Sequence, residues 1–100
     1  MDRYKGKVVV VTGAGGGIGR ASAIRFASEG GSVLAVDFQG DALSKTLQIV
    51  KDAGGDIRGV QSDVGDAEQV QQYLEECVSV FGGVDVLFNN AGIVGGIGPL

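Results

Sequence analysis

The run Val8-Val9-Val10-Val11 passes directly into Thr12-Gly13-Ala14-Gly15-Gly16-Gly17-Ile18-Gly19. Four consecutive β-branched residues leave no polar face, which suits a strand buried on both sides of a parallel sheet. The glycines behind it open into alanine-rich Ile18–Glu29, which ends at Gly30-Gly31. The segment therefore reads as strand, tight turn and helix with a glycine stop.

The rest of the chain repeats that alternation. Ser32–Asp37 is a second short apolar strand ending in an acid. Leu43, Leu47 and Val50 fall at helical spacing before Gly54-Gly55, and Ile57–Ser62 is a weaker strand that rests mainly on its place in the order. From Asp66 to Phe81 the spacing predicts a helix with Val70, Leu74, Cys77 and Phe81 on one face and Glu68, Glu75 and Glu76 elsewhere. Tyr73 is expected beside that apolar stripe, Tyr4 near the surface, and Cys77 as a small core residue. A fourth strand is expected over Val84–Asn89. The order βαβαβαβ implies an α/β fold, a doubly wound parallel sheet with right-handed crossovers. In such sheets ligands sit at the carboxyl ends of the strands, where strand order reverses.

Composition narrows the function classes. A net charge of −4 with eight scattered basic residues argues against nucleic acid as a partner. Histidine is absent, nothing identifies a metal site, and the lone Cys77 cannot form an intrachain disulfide. The apolar stretch before Gly13 is too short for a signal peptide or membrane span, so a cytoplasmic protein without a membrane partner is expected. The glycine-rich ending to Leu100 and an apolar fourth strand left at an edge suggest that residues 1–100 are half of a longer single domain.

The unusual residue clusters each follow a predicted strand. At the first, unpaired N–H groups and the helix dipole converge where glycines permit close approach, which is what a phosphate requires. The spacing Gly13, Gly17, Gly19 is neither G-x-G-x-x-G nor a P-loop. Taken alone, the cluster also reads as a turn that binds nothing. Asp37, 18 positions after Gly19, can accept hydrogen bonds from ribose hydroxyls and repel a 2′-phosphate. Phe38 stands where an Arg would favour NADP, and Gly16 carries no charge, so the pattern favours NAD; a solvated strand-end acid is the other reading of Asp37, set lower by the glycine loop upstream. Asp63-Val64 reads equally as an adenine contact or as a turn with a helix-start acid, while Asp66 and Gln69 fit a capping pair. Asn89-Asn90-Ala91-Gly92 puts two amides, costly if buried unpaired, beside two small residues at a strand end.

Together these residues resemble the short-chain dehydrogenase/reductase family over essentially the whole chain. Thr12-Gly13-x-x-x-Gly17-Ile18-Gly19 matches its T-G-x-x-x-G-x-G loop, Asp63-Val64 its adenine pair, and Asn89-Asn90-Ala91-Gly92 its N-N-A-G motif. The resemblance implies a Rossmann-type sheet, here its first βαβαβαβ half, and an NAD(H)-dependent oxidoreductase that moves hydride between nicotinamide and an alcohol or carbonyl substrate. It implies that Gly13, Gly16, Gly17, Ile18 and Gly19 line the pyrophosphate, with Thr12 behind them. Asp37 would hold the adenosine ribose, Asp63 and Val64 the adenine, and Asn90, Ala91 and Gly92 the other ribose and the nicotinamide side. The family's catalytic Asn, Ser and Tyr-x-x-x-Lys follow the N-N-A-G motif, and no residue here matches them; Tyr4 is followed at the fourth position by Val8, and Tyr73 by Cys77. The full-length protein would form a homo-oligomer. Two other readings are a non-catalytic nucleotide-binding module and an S-adenosylmethionine-dependent methyltransferase; the Thr-Gly start, the glycine spacing and the N-N-A-G turn count against the latter.

Overall fold

A computed structural model describes residues 3–62 and 67–89. The elements run β1 (Val8–Thr12), α1 (Gly17–Ser28), β2 (Ser32–Asp37), α2 (Gly40–Asp52), β3 (Asp56–Gln61), α3 (Ala67–Phe81) and β4 (Val86–Asn89). The four strands form one parallel sheet in the order β3-β2-β1-β4. The α/β doubly wound architecture expected from the alternation is therefore present, with β1 inside the sheet. All five residues of β1 are buried, and each buried valine contributes roughly 1.5–3 kcal/mol of gross hydrophobic stabilisation.

The period of a strand sends alternate valines to opposite faces. Val9 and Val11 join Val33 and Ala35 under Ala23 and Ala27 of α1 and Leu43 and Val50 of α2. Val8 and Val10 join Leu34 and Val36 under Tyr73 and Cys77 of α3. Right-handed crossovers produce this division: the chain moves outward through β2 and β3, then returns across β1 to β4. Strand order thus reverses beside β1.

The glycine stops work as read. Gly30 and Gly54 take positive φ of 92° and 84°, which an L side chain resists. Gly30 N–H bonds the Ala27 carbonyl and Gly31 N–H that of Phe26; Gly54 and Gly55 do the same to Lys51 and Val50. Both are Schellman closures, and they turn α1 and α2 back into the sheet.

Three details differ from the sequence reading. Strand β4 begins at Val86 instead of Val84, because Asp85 leaves the ladder: its N–H bonds the Val8 carbonyl and its carboxylate accepts the Val8 N–H, both at 2.8 Å. Strand β3 lies one residue earlier than expected. On α3 the buried ridge is Tyr73 and Cys77, one helical turn apart, whereas Val70, Leu74 and Phe81 are only partly buried against it. Tyr73 therefore belongs to the core itself. Cys77 is fully buried, as expected, with its thiol 3.4 Å from the Gly83 carbonyl. Asp66, and with it the proposed cap on Gln69, lies outside the described residues.

Candidate functional site

The site grows from the end of β1. Thr12 pairs with Val36 on one side and Asn89 on the other, so β1 and β4 end level and β2 runs one residue further, to Asp37. The chain then turns through Gly13 (φ 65°) and Gly17 (φ 54°), two left-handed positions that favour glycine. Ala14 N–H keeps the turn on the sheet by bonding the Val36 carbonyl at 3.0 Å. Gly16 is extended and opens α1 without a side-chain cap, and no acid stands in the helix's first turn. Gly16, Gly17 and Ile18 are exposed there. The first-turn N–H groups and the positive end of the dipole therefore face a place where an anion can approach.

Beside this turn lies a cavity of about 280 Å³, lined by Gly13, Gly15 and Gly16, by Asp37, Phe38 and Gln39 after β2, and by Ala42 and Ser62. Asp37 joins the two sides. Its Oδ2 accepts the Gly15 N–H at 2.8 Å and its Oδ1 accepts the Gln39 N–H at 2.9 Å. Each carboxylate oxygen has two lone pairs, so one remains on each for a ligand hydroxyl. Gly15 is close-packed: a Cβ there would lie 2.8 Å from Asp37 Oδ2 and 2.9 Å from the Ala42 Cβ. At Gly16 and Gly17 an added Cβ would meet nothing within 4 Å, so these positions border open space. Gln61 Nε2 donates to the Phe38 carbonyl at 2.9 Å, and Ser62 N–H to that of Asp37 at 3.1 Å, holding the far rim.

Of the residues singled out from sequence, Gly13, Gly16 and Asp37 meet in this cavity. Gly17, Ile18 and Gly19 form the adjoining first turn of α1, with Ile18 68% exposed and Gly19 buried. Thr12, expected behind the loop, is fully buried. Asp63, Val64, Asn90, Ala91 and Gly92 lie outside the described residues. Sequence reasoning passed over Gly15, Ala42 and Ser62 on the cavity wall, and Arg20 and Thr46 behind it. A cation in the first turn of a helix, against the dipole, was a usable signal for Arg20; Thr46 gave none. Tyr73 stands in the core on α3, and burial pushes its phenol above the ordinary value.

Comparison with known proteins agrees with this geometry. The sequence model described as short chain dehydrogenase matches residues 7–99. The chain belongs to this family. An uncharacterized oxidoreductase of Thermotoga maritima is 40% identical over 91 residues, 91% of this chain and 36% of that protein. The crystal structure of a hydroxysteroid dehydrogenase from Escherichia coli superposes with a TM-score of 0.87 at 37% identity, over 97% of this chain and 40% of that one. An NAD+-bound xylitol dehydrogenase gives a TM-score of 0.87 at 42% identity, over 93% of this chain and 36% of its own. The chain thus spans little more than a third of the length of these relatives. Like them, it has the parallel Rossmann-type sheet of short-chain dehydrogenases. Among the described residues, no helix is long and apolar enough to cross a membrane.

Proposed function

We propose that this chain is the cofactor-binding half of an NAD(H)-dependent short-chain oxidoreductase. The observation that carries the reading is the Asp37 carboxylate, tied at 2.8 Å to the Gly15 N–H on the wall of the glycine-loop cavity. An acid fixed there offers acceptors to a pair of ribose hydroxyls and opposes a 2′-phosphate by like charge. The glycine turn fits the neighbouring diphosphate, because open space and an uncapped helix start lie side by side. The NAD+-bound relative, 42% identical, supports the same choice of cofactor.

In this reading Gly13, Gly16, Gly17, Ile18 and Gly19 bind the diphosphate, mainly through backbone N–H groups, and Asp37 holds the adenosine ribose. Asp63 and Val64 flank the adenine; Asn90, Ala91 and Gly92 lie toward the nicotinamide. When bound, the nicotinamide supplies hydride chemistry with an alcohol or carbonyl substrate. The proton path, the substrate pocket and the homo-oligomer contacts belong to sequence other than these 100 residues, and the protein works in the cytoplasm.

Titration of the purified protein with NADH and with S-adenosylmethionine, followed by nucleotide fluorescence and calorimetry, tests the reading. Saturable NADH binding is expected, with none of S-adenosylmethionine. Binding of S-adenosylmethionine without NADH would make the site a methyltransferase pocket.

A further inference from the structure

Behind the glycine loop stands a bracket of side chains that makes no contact with the cavity. Arg20 lies in the first turn of α1, where the dipole disfavours a cation and no acid of that turn offsets it. Its guanidinium is aimed at neutral oxygens. Nη2 donates to the carbonyls of Gly15 at 2.6 Å and Ala42 at 3.1 Å, and Nε donates to Thr46 Oγ1 at 2.9 Å. Thr46 is fully buried, and its hydroxyl donates onward to the Ala14 carbonyl at 2.7 Å. Two successive loop carbonyls are thus drawn toward α2.

That direction has a consequence for the opposite side of each peptide. A trans peptide points its C=O and the following N–H in opposite directions, and no cis peptide occurs among the described residues. Drawing the Ala14 carbonyl to Thr46 turns the Gly15 N–H outward, where it meets Asp37 Oδ2 at 2.8 Å. Drawing the Gly15 carbonyl to Arg20 likewise turns the Gly16 N–H toward the open side of the loop.

We propose that Arg20, relayed through Thr46, is a positioning residue for the diphosphate of the dinucleotide. It fixes the peptide plane that presents the Gly16 N–H to the anion, while its relay through Thr46 holds the Gly15 N–H on Asp37 and so joins the loop, Asp37 and the start of α2 into one unit. The proposal rests on the cofactor reading above. A purely structural Arg20, by contrast, would fasten α1 to α2 and leave ligand preference untouched.

The test uses the full chain with NADH and adenosine as paired probes, since only the first carries a diphosphate. Arg20→Met removes all three donations, and Arg20→Lys keeps the charge but cannot reach three diverging acceptors. Thr46→Val deletes only the hydroxyl. Both Arg20 variants are expected to weaken NADH about 10-fold, and Thr46→Val, which acts through the Gly15 N–H on Asp37, about 3-fold for NADH and adenosine alike, the scale of one charged or neutral hydrogen bond. In the Arg20 variants adenosine, which meets only the Asp37 limb, should lose no more than about threefold. NADH affinity unchanged in the folded Arg20 variants, or equal losses of NADH and adenosine in them, overturns the proposal. A measurement on the unsubstituted protein covers variants that fail to fold: the NMR signal of the Arg20 Nε–H should move further on adding NADH than on adding adenosine. A signal indifferent to bound NADH also overturns it. Failure of the unsubstituted protein to bind NADH sinks the cofactor reading itself, and this proposal with it.

Discussion

Two neighbouring glycines of the loop should respond oppositely to the same added methyl. Gly17 has φ 54°, and Gly16 has φ −174°; neither would place a Cβ within 4 Å of another heavy atom. Steric room is equal, so any difference comes from backbone conformation. Alanine in the left-handed region costs roughly 1–2 kcal/mol, whereas extended backbone accepts alanine without strain and restricts the unfolded chain. For a domain this size about 1 kcal/mol corresponds to ~4–8 °C in Tm. Gly17→Ala should therefore melt about 4–16 °C lower, while Gly16→Ala melts at or slightly above the unsubstituted protein. Thermal unfolding followed by far-UV circular dichroism reads both. Because relaxing Gly17 to negative φ would redirect the first-turn N–H groups, NADH affinity of Gly17→Ala should fall about tenfold. Equal melting temperatures for the two variants would refute the reasoning, since they would show that the turn does not require a left-handed residue at 17.

Other outcomes follow from single contacts. Asp37→Ala removes the acceptor of the Gly15 and Gln39 N–H groups; NADH binding should weaken about 10- to 100-fold and discrimination against NADPH should shrink, as measured by paired titrations. Glu29 is 3% exposed and holds its proton less tightly than an ordinary glutamate near 4.5, chiefly through the hydrogen bond from Arg25 and then the charges of Arg25 and Arg3, against the opposing effect of burial. A lowered folded-state value means that its contribution is complete above that ordinary value and is lost as pH falls through the folded one. Urea unfolding from pH 7 down to 3 should therefore show a steeper acid loss in the unsubstituted protein than in Glu29→Gln; parallel curves would remove Glu29 from the account. Burial pushes the Cys77 thiol up, so a thiol reagent at pH 8 should label it only at the rate of unfolding, and immediate labelling of folded protein would place it outside the core.

Much of the fold was legible because local chemistry and tertiary role coincide. The valine run of β1 needed apolar cover on both faces and has it, and the glycine pairs at 30–31 and 54–55 end α1 and α2 through backbone closures set by neighbouring residues. Asp37 stood out in the sequence as a strand-end acid after a glycine turn, and its carboxylate lies on the cavity wall, bonded to the Gly15 and Gln39 N–H groups. What escaped depends on partners far apart in sequence. Asp85 leaves the strand for Val8, 77 positions away, and Arg20 finds Ala42 and Thr46 at separations of 22 and 26. Gly15 looked like a spare glycine until Asp37 and Ala42 closed on it. The α3 stripe was seen at the right spacing, but which ridge faces the sheet is decided by packing on Val8, Val10 and Leu34.

The central claim, an NAD site governed by Asp37, is tested most directly by titrating the unsubstituted protein with NADH and NADPH side by side. Like-charge repulsion and a lost ribose hydroxyl partner predict NADH binding tighter by at least about tenfold. NADPH binding as tight as NADH, or tighter, would contradict the account.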